Sequence, residues 1–265
     1  MISQPSPTRS VIILVGALLL YLALITNFHH FKYGLHFLQS ISYATGGWVP
    51  VALMVGLIGF TLIIGIWLIG FGDFPGSFIG LVPKKLPFAL AAVAATWIVG
   101  QALVVISCIF FHHRFAVADP PLAEAIPLLL TQVLGNSLLE ESFFRGFLIP
   151  FSLPYLRNSR ALAVIATSVV FGVSHIPALL ATGQPFVSLI SITILGLVFG
   201  WLYIRTGNLW LCIGLHSLFN RPTLIWSSHI SGQIVPLLVI FFFIAFSTRL
   251  FRMPTFQFSS QGVGV

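Results

Sequence analysis

The chain has 265 residues, of which 58% are hydrophobic and only 6% charged, with a net charge of +7. A soluble domain carries about 25% charged residues, so this composition excludes a water-covered globular surface and puts lipid against most of the outside. The basic residues are scattered singly between apolar runs, with no basic stripe, which argues against a nucleic-acid partner and reads as topological anchoring.

Spanning a bilayer core as a helix takes about 20 apolar residues. Runs of that kind fall at 11–28, 48–71, 88–111, 125–151, 161–182, 186–204, 208–226 and 232–248. The first is too long for a signal-peptide core and lacks a small-residue cleavage site after it, so it is expected to be a span. Turn chemistry separates the runs at Gly46-Gly47, at Asp73-Phe74-Pro75-Gly76, at Asp119-Pro120-Pro121, around Gln184-Pro185 and at Gly207-Asn208. The tail from Pro254 to Val265 is small and polar and is expected to be disordered. The expected fold is all-α: a polytopic membrane bundle of about eight helices around a polar intramembrane cavity. It divides into N-terminal spans (1–124), a core (125–226) and a last span with a short tail (227–265).

The charges support this alternation. The N-terminus and every second loop hold Arg9, Lys84, Lys85, Arg157, Arg160, Arg205, Arg249 and Arg252. The opposite loops hold Lys32 and Arg114, and Arg145 and Arg221 fall in spans, which accounts for all 12 basic residues. The bias predicts both termini on the cytoplasmic side. His29, His30, His36, His112, His113 and His229 fall on the sparsely charged side and read as interfacial residues. Cys108 and Cys212 lie in apolar runs, which argues against a disulfide framework.

Polar groups inside the spans are costly and therefore informative. Glu140 and Glu141 lie in the fourth span, Glu140 roughly 15 Å from its nearer end at 1.5 Å per residue. A charge near the bilayer centre costs about 2.5–3.5 kcal/mol on insertion scales, so neither acid persists there without partners or a watery cavity. Neighbours on a helix point about 100° apart, so the two acids face different surroundings. Glu141 and Arg145 stand i,i+4 with the acid first, the favourable order for pairing. Glu140 shares a face with Asn136 and Gln132. The fifth span adds His175 with Phe171 one turn before and Pro177 after it; the seventh adds His216 and Asn220. A carboxylate, imidazoles and a carboxamide can activate water and hold an oxyanion.

Glu140-Glu141-x-x-x-Arg145, Phe171-x-x-x-His175 and His216-x-x-x-Asn220, in that order on successive spans, resemble the three motifs of the CPBP family. That family includes the CAAX prenyl endopeptidases and the bacteriocin-processing or self-immunity (Abi) proteins. The resemblance covers roughly 125–225 and implies a glutamate-type intramembrane endopeptidase with no obligatory cofactor. It implies that Glu140 with His175 activates the attacking water and that His216 and Asn220 stabilise the oxyanion. Glu141, Arg145 and Phe171 would brace the site. The implied partners are the lipid bilayer and a membrane-associated peptide, prenylated in one branch of the family. The implied setting is an integral protein of a bacterial inner membrane, with the cavity opening toward the cytoplasm or inner leaflet.

Rival readings use the same residues. Two histidines and a glutamate could ligate zinc, although the HExxH motif is absent. Intramembrane Glu and His also build the relays of proton-coupled transporters, which more often show paired halves with broken helices. A non-catalytic immunity-type protein could keep the scaffold alone. The Gly196-x-x-x-Gly200 pair reads as ordinary helix packing, and Cys212 as a buried, inert thiol.

Overall fold

The computed structural model describes residues 7–30, 32–74, 78–112, 116–117, 122–220, 226–227, 238 and 240. Apart from residues 238 and 240, the expected last span lies outside these residues. So do Arg114, the Asp119-Pro120-Pro121 turn, Arg221 and the C-terminal tail.

The architecture is all-α. Helix α1 (Pro7–His30) is followed by α2 (Lys32–Ala44) and α3 (Val51–Phe71). A 3₁₀ turn, Pro83–Lys85, leads into α4 (Leu86–Phe110). Helix α5 occupies residues 122–152 and changes pitch along its length, with π-helical stretches at Thr131–Ser137 and Ser142–Leu148. Then come α6 (Arg160–Ser174), α7 (Ile176–Thr182), α8 (Ser188–Thr206) and α9 (Leu209–Asn220). A two-residue antiparallel ladder joins β1 (Ala116–Val117) to β2 (Trp226–Ser227).

Among the described residues four helical stretches are long and apolar enough to cross a bilayer: Val51–Phe71, Pro83–Phe110, Arg160–Thr182 and Ser188–Thr206. They correspond to the second, third, fifth and sixth expected spans. The expected 208–226 span needs correction. Its described helix ends at Asn220, and Trp226 pairs in the ladder. Helix α2 was not anticipated; His36, Gln39, Ser40 and Ser42 interrupt its apolar pattern, and at 13 residues it is too short to span.

The turn residues behave as their chemistry dictates. Gly46 and Gly47 take positive φ after α2, and Gly207 does so after α8, a conformation that costs glycine nothing. Asp73 also has positive φ, at 57°, and its carboxylate accepts from the Arg9 guanidinium at 2.5 Å. Arg9 donates as well to the Phe71 carbonyl. Lys85 donates to Gly207 O, and Asn208 donates back to Lys85 O. Phe74 stacks edge-on to Phe151 near the end of α5. These contacts gather the N-terminus, the 71–85 segment, the end of α5 and the α8–α9 turn, and with them most of the described basic residues, at one end of the bundle.

Close backbone approach sets the interior. Trp67 donates its indole N–H to Ile13 O and lies so near Gly16 that a Cβ there would sit 2.1 Å from its ring. This docks α1 so that Ile13, Ala17 and Tyr21, at steps of four, are buried in the core. Tyr21 stacks on Phe143, and Phe143, Phe147, Phe151 and Tyr155 continue as a ladder of rings. Helices α3 and α5 cross at Gly56 and Gly135, where a Cβ on Gly56 would lie 1.6 Å from Gly135 O.

That crossing tolerates no side chain. Gly56→Ala is expected to destabilise the protein by about 1–3 kcal/mol through overpacking. Gly65→Ala, where a Cβ meets nothing within 4 Å, should leave thermal unfolding in detergent unchanged or raise its midpoint.

Candidate active site

The site is built around one carboxylate. Glu141 is fully buried, and its Oε1 accepts from Arg145 Nη1 at 2.8 Å and from His216 Nδ1 at 2.7 Å. A carboxylate can only accept, so Nδ1 of His216 carries the proton in this contact. Arg145 is 2% exposed; its Nη2 donates to Gly196 O, and its guanidinium lies 4.5 Å above the Phe171 ring centre. Gly196 is thus more than a packing residue, since its carbonyl closes the guanidinium's shell. The His216 ring stacks on Phe199 and meets Phe171 edge-on. Phe171 also packs edge-on against His175 and Phe144. The three sequence motifs therefore meet at the Phe171 ring.

Glu140 faces elsewhere. Its side chain is 19% exposed, and its Oε2 lies 3.8 Å from His216 Nε2. That is beyond a direct hydrogen bond and within the range a shared third group spans. His175 is half-buried where α6 ends. Pro177 lacks the N–H that would bond Val173 O, so the helix breaks and restarts as α7 at Ile176. The expected 161–182 span is thus two helices with His175 at the joint. His175 Nδ1 donates to Phe171 O at 2.7 Å, leaving Nε2 as an acceptor.

Glu140 and His175 line one cavity of about 260 Å³, together with Tyr21, Leu24, Gly56, Gly135, Asn136 and Ser174 among others. This far exceeds the ~10–15 Å³ that a single water requires. Asn136 also donates to Gln132, so the polar stripe expected on α5 forms, with Asn136 and Glu140 on the cavity wall. His216 reaches Glu140 from outside that wall. Asn220 is not brought to it: it is the exposed last residue of α9. Among the described residues no three His, Cys, Asp or Glu side chains are grouped to hold a metal ion.

Tyr21 lies roughly 18 Å along α1 from Arg9, and His175 roughly 22 Å along α6 from Arg160, at 1.5 Å per residue. Glu140 lies roughly 17 Å along α5 from Phe151, and His216 roughly 12 Å along α9 from Asn208, so the acid and this imidazole sit nearer mid-depth than the Tyr21 and His175 wall of the cavity. Sequence reading missed Tyr21, the π-helical stretches, the Gly56–Gly135 crossing and the Phe199 platform. The signal for Tyr21 was present: it is the one residue with a polar atom in its side chain between Val11 and Ile25.

Removing one partner from a buried ion pair costs about 3–5 kcal/mol, because the other charge is left uncompensated. Glu141→Gln is expected to lose stability on that scale and to lower the yield of folded protein. Glu140→Gln, at a partly exposed acid with no direct hydrogen bond, should unfold within a few degrees of wild type in the same thermal assay.

The comparisons with known proteins fall on these elements. Residues 122–221 match the family described as type II CAAX prenyl endopeptidase Rce1-like. No curated protein and no solved structure matches the chain. The matched segment runs from the start of α5 to one residue past α9 and contains all three motifs. With four helices among the described residues long and apolar enough to cross a bilayer, the protein is integral to a membrane, and residues 122–221, less than half of the chain, are similar to the Rce1-like type II CAAX prenyl endopeptidases.

Proposed function

We propose that the protein is a metal-independent, glutamate-type intramembrane endopeptidase acting on a lipid-anchored or membrane-embedded peptide, a prenylated C-terminal tail being the first substrate to try. The observation that carries this reading is that Glu140 and His175, from separate helices, line one cavity while His216 Nε2 stands 3.8 Å from Glu140.

Water held between Glu140 and His175 would lose a proton to the carboxylate as it attacks the scissile carbonyl. His175 Nε2, left free to accept, orients that water. His216, anchored through Nδ1 to Glu141, presents Nε2 toward the same place and would donate to the developing oxyanion. Collapse of the tetrahedral intermediate returns the proton from Glu140 to the leaving amine. Glu141 and Arg145 cancel in charge, which limits the cost of placing this chemistry in the membrane. The metal-free reading rests on the donor set: the acid touching His216 is already neutralised by Arg145.

The charge bias still supports cytoplasmic termini, which would put the Tyr21 and His175 wall of the cavity in the outer half of the bilayer. An Ala178→Cys variant is informative, since Ala178 lines the cavity and the chain's two native cysteines are both buried. It should react with a membrane-impermeant thiol reagent in intact cells. Reaction only in inverted vesicles would reverse this orientation.

For the chemistry, purified protein in proteoliposomes is expected to cleave a farnesylated CAAX-type peptide with or without a chelator. Glu140→Gln and His175→Ala should abolish cleavage while folding is retained. Full activity of Glu140→Gln, or none after zinc removal, would refute the assigned mechanism.

A further inference from the structure

The cavity has a wall that the family match does not reach. Tyr21 comes from α1, about a hundred residues ahead of the matched segment, yet it lines the cavity beside Glu140, Asn136, Ser174 and His175. The residue is 1% exposed, and its hydroxyl is buried with no hydrogen-bond partner. The ring is fixed, stacked on Phe143 at 5.2 Å and edge-on to Phe144 at 5.2 Å. The helix carrying it is fixed too, through Trp67, Gly16 and the Arg9–Asp73 pair.

Burying a hydroxyl without a partner costs about 1–3 kcal/mol. Phenylalanine would avoid that cost while keeping both ring contacts. The polar groups in electrostatic reach do not remove it. Ser174 is close enough to act on the phenol, but only as an acceptor, because its own hydrogen goes to Phe171 O at 2.8 Å, and the contact falls short of a formed hydrogen bond. Glu140, Glu141 and Arg145 act on the phenol only through space. What remains is a rigidly held donor beside the proposed base, in a site where Asn220 stands exposed at the end of its helix.

We infer that Tyr21 is a catalytic residue, whose O–H donates a hydrogen bond to the carbonyl oxygen of the scissile peptide and holds it as it becomes the oxyanion. This rests on the proposed peptidase reading. A phenol donor and the His216 Nε2–H would approach that oxygen from different helices. No covalent bond forms to Tyr21, and its proton stays on the phenol throughout.

The test is Tyr21→Phe, assayed on the farnesylated CAAX-type peptide beside wild type and Glu140→Gln, with thermal unfolding measured on each. Losing one oxyanion donor typically costs about 10²–10³ in kcat. The expected result is a fall of that size, with KM little changed and the unfolding temperature held or raised. Glu140-dependent cleavage at the wild-type rate by Tyr21→Phe would overturn the inference and leave the proposed function standing. A marked drop in unfolding temperature would also overturn it, because the hydroxyl would then have a structural partner. Absence of Glu140-dependent cleavage by the wild type itself would overturn both.

Discussion

The Glu141 carboxylate is the constraint around which the other polar groups are arranged. It is completely buried in a protein whose surroundings are lipid, and it must serve two donors from one oxygen. Arg145 satisfies the charge from the next turn of the same helix, and His216 ties in α9. Because these contacts are charged and dry, their geometry is strongly enforced: a displaced α9 would strand His216, and a displaced α5 would strand Arg145. The aromatic groups then pack to this fixed frame. Phe171 receives the guanidinium on its face and the two imidazoles at its edge or flank, and Phe199 stacks under His216.

Adjacent acids can take opposite roles because a helix turns its neighbours apart. Glu141 points into the packed interior and is held by direct hydrogen bonds. Glu140, one residue earlier, reaches the cavity and keeps partial exposure. The two π-helical stretches on either side of this short α turn widen α5 there, as π segments at functional sites often do. The same logic governs His175. A proline two residues on interrupts the backbone ladder and places the imidazole at a helix joint, with one ring nitrogen tied to Phe171 O and the other open.

Some of this was legible from residues alone. Few charges meant lipid, apolar runs at the right length gave the α2-less skeleton of long helices, and an i,i+4 acid–base order at Glu141 and Arg145 gave the pairing. The polar face through Gln132, Asn136 and Glu140 followed from helical period. What escaped depended on distance in sequence. The Gly56–Gly135 contact joins two helices whose glycines look like any others in an apolar run. Tyr21 lies far from every motif, so only the docking of α1 by Trp67 and Gly16 brings it to the cavity. Asn220 keeps its helical spacing from His216 on α9, but spacing cannot reveal that the residue is exposed. Loop charges gave alternation correctly, since most of the described basic residues gather at one end, but they did not indicate at what depth the cavity lies.

Depth has chemical consequences. A carboxylate near mid-depth, about 17 Å along α5 from the cationic end, stands clear of direct contact with Arg9, Lys84, Lys85, Arg157, Arg160 and Arg205. Exposed charges separated by more than about 8–10 Å are largely screened in water, but not across a low-dielectric core, so such a cluster nearby would compete for Glu140. Among the described residues the guanidinium beside the acids, Arg145, is committed to Glu141 and Gly196 O. The arrangement thus separates two demands that pull against each other: a strong cation to keep one carboxylate charged within the membrane, and a carboxylate beside it left without a direct hydrogen bond and open to the cavity.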